Sequence, residues 1–210
     1  MKLNTPRWWY TRDARHGAVA RILLKPLSWL WAAVTARRIA RADPVDPGVP
    51  IISVGNLTVG GSGKTPVTRE AIRLLHEAGI NAHGLSRGYG GSLREPTQVN
   101  AAIHTAADVG DEPLMLALGG PTWIAHDRVA GARAAAAAGA RVLVLDDAHQ
   151  NPTLKKTLSL VVVDGETRGD EWPFGDGSVF PSGPMREKLR HGLARADAVV
   201  VLLPADAPAV

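Results

Sequence analysis

Cysteine is absent from the 210 residues, which excludes disulfides and thiolate metal sites and suits a reducing compartment. Phe and Tyr are scarce, at 2 each. No uninterrupted apolar run of about 18 residues is present, so an unbroken membrane span is not expected. The N-terminus lacks a small-residue cleavage site after a short apolar core, which argues against a secretory signal. What is present is globular in character: 45% hydrophobic and 21% charged residues. Such a chain builds one good core, or one domain with an appendage.

Acidic residues are also scarce where basic ones collect. Residues 1–43 carry nine Lys and Arg against Asp13 and Asp43, and the remainder carries 15 basic and 18 acidic residues. Trp8, Trp9, Trp29 and Trp31 fall in the same basic segment, with Leu23, Leu24, Leu27, Leu30, Trp31 and Val34 near helical spacing around Pro26. A basic, tryptophan-rich amphipathic helix belongs in a membrane interface. A helix packed on the domain with solvated arginines is the alternative. A nucleic-acid partner is not expected, because it leaves the leucine stripe without a purpose. Residues 1–43 therefore form a membrane-associating segment, and the Pro/Asp-rich stretch Arg41–Pro50 separates it from a core domain over 44–210.

The most informative stretch is Ile51–Pro66, IISVGNLTVGGSGKTP. A β-branched apolar segment runs into Gly60-Gly61-Ser62-Gly63 and then Lys64-Thr65. Glycines let successive N–H groups point into a concave nest for phosphate oxygens. The N-terminus of the following helix, the Lys64 charge and a Thr65 hydroxyl for Mg²⁺ complete a phosphate-binding loop. Thr58 stands where the usual pattern has its first glycine. A second acidic element is expected at the end of a neighbouring strand, and Arg141–Leu145 ends in Asp146-Asp147, carboxylates able to hold Mg²⁺ directly or through water.

Strands are predicted at Ile51–Val54, Asn81–Ser86, Arg141–Leu145, Leu158–Val163 and Ala198–Leu203. Helices are predicted at Val67–Ala78, with Ile72, Leu74 and Leu75 inward and Gly79 as terminator, and at Arg128–Ala138. Asp111 and Glu112 sit where a loop enters a further helix, a place that favours acids on dipole grounds alone. The alternation implies an α/β fold: a mostly parallel sheet with helices on both faces, its phosphate loop at the carboxyl ends of the strands.

Taken in order, SVGNLTVGGSGKTP, SRGYGG, VGDEP, LDD-x-x-Q and FPSGPMREKL resemble the tetraacyldisaccharide 4′-kinases, phosphate-loop enzymes. The resemblance runs over essentially the whole chain, and a serine or threonine in place of the first loop glycine is a family trait. It implies ATP- and Mg²⁺-dependent phosphorylation of the 4′-hydroxyl of an acylated glucosamine disaccharide 1-phosphate, the lipid A precursor. The implied location is the cytoplasmic face of the bacterial inner membrane.

The resemblance also implies roles for individual residues. Lys64 would hold the β- and γ-phosphates, with Thr58, Gly60, Gly61, Ser62, Gly63 and Thr65 completing the nucleotide-binding loop. Thr65 and Asp146 would organise Mg²⁺ with Glu112 contributing. Asp111 would be the catalytic base, Asp147 would act beside it or at the metal, and Arg128 would face an anionic headgroup.

Two differences from the family pattern stand out. The family's Asp-Asp-Gly-Phe-Gln-His reads Asp146-Asp147-Ala148-His149-Gln150-Asn151 here, and alanine is strained if the family glycine takes positive φ. The family also carries a further small α/β domain that closes the nucleotide cleft, and this sequence reaches residue 210 soon after its last predicted strand. The chain is thus expected to be C-terminally short. A nucleotide-binding membrane module without turnover is the alternative to an active kinase.

Overall fold

A computed structural model describes residues 5–11, 15, 17–61, 63–166 and 171–204. After a single 3₁₀ turn at Arg7–Trp9, the elements are α1 (Ala18–Ala40), β1 (Ile51–Gly55), α2 (Lys64–Glu77), β2 (Ala82–Ser86), β3 (Thr97–Gln98), α3 (Ala106–Val109), α4 (Asp111–Ala117), β4 (Thr122–Ile124), α5 (Arg128–Ala137), β5 (Val142–Leu145), β6 (Leu158–Asp164), α6 (Leu189–Leu193) and β7 (Ala198–Leu202). The chain divides into two compact units. One gathers 42–55 and 64–160, the other the described residues of 1–41, 56–63 and 161–210.

The first unit is built on strands in the order β3-β4-β2-β5-β1. β1, β5, β2 and β4 run parallel, with Ile51 opposite Leu143, Ala82 opposite Val142 and Gly84 opposite Thr122; β3 is antiparallel to β4. Ile51, Leu85, Leu143 and Leu145 are fully buried, as expected of strands covered on both faces. Successive residues of β2 face opposite ways. A Cβ on Gly84 would meet Ile72 of α2, whereas Leu85 lies against Gly131 of α5. The alanine tract thus has a packing role, since Ala132 and Ala135 are fully buried and bring α5 close to the sheet.

The predicted strands and α2 appear within one to three residues of their expected bounds. Gly79 ends the helix at φ 76°, and Ile80 N donates to Leu75 O at 2.9 Å. On α2 the inward residue is Ile72, while Leu74 faces solvent at 52% exposure, contrary to the predicted inward face. The three residues of β4 and two of β3 are too short to leave a period in the sequence.

The second unit centres on Leu57, Val161 and Met185, packed with Phe174 and Val179. Its α1 runs unbroken through Pro26. The residues α1 buries are Arg21, Ser28, Ala32 and Thr35, one helical face made of polar and small side chains. Ser28 and Ser182 hydroxyls meet at 2.7 Å, Trp31 Nε1 donates to Arg186 O at 3.0 Å, and Arg21 pairs with Asp176. The apolar stripe lies on the other side: Val19, Ile22, Leu23, Leu27, Leu30 and Val34 are each more than half exposed. At 23 residues the helix extends about 35 Å, long and apolar enough to cross a membrane by length and composition.

Candidate functional site

In the first unit, α2 opens at Lys64 and β5 ends at Leu145, delivering Asp146 and Asp147 beside it. Thr65 Oγ1 donates to Asp146 Oδ2 at 3.2 Å. One turn further along α2, the Thr68 hydroxyl lies 3.0 Å from Asp146 Oδ1 and 3.0 Å from Lys64 O. A hydroxyl has one proton and those are two acceptors, so Thr68 serves the carboxylate or the carbonyl according to the state of Asp146. Lys64, only 8% exposed, places Nζ 3.9 Å from Asp147 Oδ1.

Burial lifts the Asp146 carboxyl above its ordinary range, and the Asp147 charge adds to this; the Thr68 and Thr65 hydrogen bonds and Lys64 work against it. Behind Asp146 lies the guanidinium of Arg128, which is 6% exposed. Its contacts are long, 3.4 Å to Leu85 O and 3.5 Å to Asp146 O, and Nε has no hydrogen-bond partner among the described residues. Burial brings Arg128 down to about 10, with Asp147 and Asp146 holding it up, so it stays cationic at neutral pH. Asp127 caps α5 through Val129 N and Ala130 N and thereby fixes where Arg128 starts.

Asp111 and Glu112 occupy the first turn of α4 and are exposed. The loop after β2 fixes this turn. Gly110 (φ 90°) lies directly against Tyr89 O, and Gly91 lies against the backbone of Asp108 and Val109; a side chain at either glycine would strike main chain. The described residues contain no group of three or more Asp, Glu or His side chains arranged to hold a metal, so Glu112 does not join Asp146 and Asp147 in such a cluster. Hydroxyl and carboxylate oxygens at Thr65 and Asp146 are nevertheless a hard donor set. Mg²⁺ uses one or two protein oxygens and takes its remaining ligands from water and phosphate.

Residues 56–63, which the sequence reads as the start of a phosphate loop, belong to the second unit. Leu57 O accepts from Arg186 N at 2.8 Å, Thr58 O from Arg186 Nε at 2.8 Å, and Val59 O from Tyr10 Oη at 2.8 Å; Val59 N donates to Pro184 O at 2.7 Å. Gly60 takes φ 117° and Gly63 φ 73°, and a side chain on Gly63 would strike Leu202. Ser62 lies outside the described residues. A cavity of about 280 Å³ flanks the loop, with Thr58–Gly61, Val163, Asp164 and Phe174 in its walls.

The replaced residues of the acidic motif have clear places. Ala148 is fully buried, and the positive φ falls one residue earlier, at Asp147 (47°), the only such non-glycine among the described residues. The strain expected at Ala148 is therefore absent. His149 points inward, 1% exposed, with Nδ1 3.2 Å from Ser159 Oγ and its Cβ against Gly55. Asn151 turns to its own backbone, accepting from Thr153 N at 2.9 Å.

Sequence reasoning missed Thr68, Arg186 and Tyr10. Thr68 follows Thr65 at helical spacing, a usable signal. Arg186 lies in a motif already singled out, while nothing in the sequence points to Tyr10.

The family model for tetraacyldisaccharide-1-P 4′-kinase (LpxK) matches residues 20–209. Tetraacyldisaccharide 4′-kinase of Phenylobacterium zucineum is 68% identical over 98% of this chain and 61% of its own length. The Caulobacter vibrioides protein of the same name is 66% identical over 98% of this chain and 62% of its own. This chain therefore spans about three fifths of those relatives. Among solved structures, LpxK from Aquifex aeolicus in complex with ATP superposes with a TM-score of 0.73 at 29% identity, covering 87% of this chain and 58% of that one.

Proposed function

We propose that this chain, which belongs to the tetraacyldisaccharide-1-P 4′-kinase family, carries the nucleotide-binding half of an ATP-dependent lipid kinase acting on an acylated disaccharide 1-phosphate. The observation that carries the reading is the Lys64, Thr65, Thr68 and Asp146 arrangement: a helix N-terminus with a buried lysine, hydrogen-bonded to a buried carboxylate at a strand end. Its membership in a family of phosphotransferases supports reading that arrangement as a nucleotide site.

Phosphoryl transfer asks for positioning and charge stabilisation more than covalent chemistry. Lys64 gives up Asp147 to meet the β- and γ-phosphates, and the N–H groups of Gly61–Thr65 cradle them. Thr65 and Asp146 would hold Mg²⁺, and the metal would supply charge neutralisation across the phosphates when bound. Asp111 accepts the proton of the sugar 4′-hydroxyl. Asp111 has solvent access and stands on a turn fixed by main-chain contacts, so its carboxylate is free to reach a headgroup presented from outside. Arg128, buried and cationic behind Asp146, offsets the paired charges of Asp146 and Asp147 rather than meeting a headgroup directly.

The N-terminal segment completes the reading. With its polar face inward and its apolar face outward, α1 fits the interface of the inner membrane, its basic residues toward the cytoplasmic headgroups. There it meets a substrate that never leaves the bilayer.

The test is mass-spectrometric. The protein is incubated with MgATP and detergent-solubilised tetraacyldisaccharide 1-phosphate, and one added phosphate is sought. Product that disappears in Lys64→Ala and Asp111→Ala supports the kinase. Intact ATP binding without product would favour a nucleotide-binding module that does not turn over.

A further inference from the structure

The contacts of Arg186 join three parts of the second unit that are far apart in sequence. Its backbone N–H donates to Leu57 O at 2.8 Å and its Nε to Thr58 O at 2.8 Å, so one residue grips two consecutive carbonyls at the start of the phosphate loop. Its own carbonyl accepts from Trp31 Nε1 of α1 at 3.0 Å. The Trp31 ring packs edge-on against Phe180 at 5.0 Å, and one turn earlier Ser28 is bonded to Ser182. The FPSGPMREKL segment is thereby clamped to α1 on one side and to Leu57–Val59 on the other, with Pro184 O taking Val59 N.

We propose that Arg186 is a positioning residue for the phosphate loop, and that Trp31 links it to α1, so that seating α1 in a lipid surface tightens nucleotide binding. The proposal rests on the kinase reading above. Two arguments carry it. A phosphate nest works only if its N–H groups are held at a fixed curvature, and Arg186 fixes the carbonyls immediately before that curve. Trp31 is 47% exposed on a helix whose apolar neighbours face outward. The Trp31–Arg186 hydrogen bond belongs to the packed face of α1 but is open to solvent at its margin; lipid taking up the apolar face reaches that margin and excludes water competing for the bond, and a hydrogen bond shielded from water is stronger. The membrane helix and the nucleotide site are then parts of one device: the enzyme binds ATP best where its lipid substrate is.

The experiment measures MgATP binding by the full chain with and without phosphatidylethanolamine–phosphatidylglycerol vesicles, together with the KM and kcat of transfer. Arg186→Met, which keeps length but removes the donors, should weaken MgATP about tenfold, raising KM more than it lowers kcat. Arg186→Lys should recover part of that loss. Vesicles should tighten wild-type binding several-fold, and Trp31→Phe, which keeps the ring against Phe180 and loses the N–H, should blunt that response. Wild-type affinity in Arg186→Met, or an undiminished vesicle response in Trp31→Phe, overturns the relay while leaving the kinase reading intact. A wild-type chain that binds no MgATP at all sinks the functional reading, and the relay with it.

Discussion

Asp147 reaches to 3.9 Å from Lys64 Nζ, and it does so from a left-handed backbone, φ 47°, that few residues other than glycine and asparagine or aspartate accept. The unusual conformation turns its carboxylate toward the lysine rather than along the strand. Asp147 is thus a counter-ion of Lys64, and on the proposed reading ATP phosphates displace it. Asp147→Asn should therefore tighten ATP binding in EDTA, by up to about tenfold for the loss of one close charge competitor. Turnover with Mg²⁺ should fall in the same variant. Titrations in EDTA and in Mg²⁺ separate the two effects, and unchanged affinity in EDTA would show that the pair does not govern access to Lys64.

Asp146 offers a stability test with a definite pH dependence. Burial raises its folded-state pKa, so the native state holds the proton more tightly than the unfolded chain. Stability from this group is fully present below the unfolded carboxylate value of about 3.9 and is lost as pH rises through the raised folded value. Asp146→Asn keeps the acceptor for Thr68 or Thr65 and removes the buried charge. At neutral pH it should raise the melting temperature of the nucleotide-free protein by roughly 2–4 °C, the equivalent of about 1 kcal/mol. The gain should shrink to nothing in acid. The same variant should lose MgATP-dependent transfer. A lower melting temperature at pH 7 would show that the carboxylate is held by more than the groups named here.

Asp111→Asn tests the proposed base. Its side chain is exposed on the first turn of α4, away from Lys64 in sequence, so nucleotide affinity should be unchanged. Transfer to the sugar should fall by about 10²–10⁴. Equal losses in ATP affinity and turnover would instead place Asp111 in nucleotide binding.

The acidic motif shows where sequence reading worked and where it did not. That Lys64 and Thr65 come together with Asp146 and Asp147 was legible because a glycine-rich turn between an apolar strand and a helix, and acids at a second strand end, follow from local composition. The condition for strain at Ala148 is not met, because the left-handed residue is Asp147, and no pattern in the sequence says which residue of this turn takes positive φ. The orientation of α1 was half legible. The stripe gave the helix, but only the packed face of Ser28, Ala32 and Thr35 reveals that the protein takes the polar side. Arg186 stayed hidden because its contacts with Leu57 and Thr58 are tertiary, whereas Thr68 was within reach of helical spacing from Thr65.

Ala148→Gly follows from that correction. Alanine here is fully buried with ordinary φ, so restoring the family's glycine removes a packed methyl and adds backbone freedom to the unfolded chain. It should destabilise by about 1 kcal/mol, seen as a lower denaturant midpoint. A stabilised variant would mean that the backbone at this position is strained after all.

The last prediction concerns α1. Leu23, Leu27 and Leu30 are exposed at 72%, 55% and 62%, on the side opposite the buried Ser28, so none of them supports the fold. Burying one such side chain in lipid contributes roughly 1.5–3 kcal/mol. Leu27→Asp should therefore weaken binding to phosphatidylglycerol-containing vesicles at least about tenfold while leaving the melting temperature within about 1 °C. Flotation with vesicles and a thermal melt in buffer read the two quantities separately. Salt adds a second check: attraction of Arg37, Arg38 and Arg41 to anionic headgroups is screened at high ionic strength, whereas the leucine contribution is not. If vesicle binding survives Leu27→Asp and vanishes in salt, α1 rests on the membrane by charge alone and its apolar face has another partner.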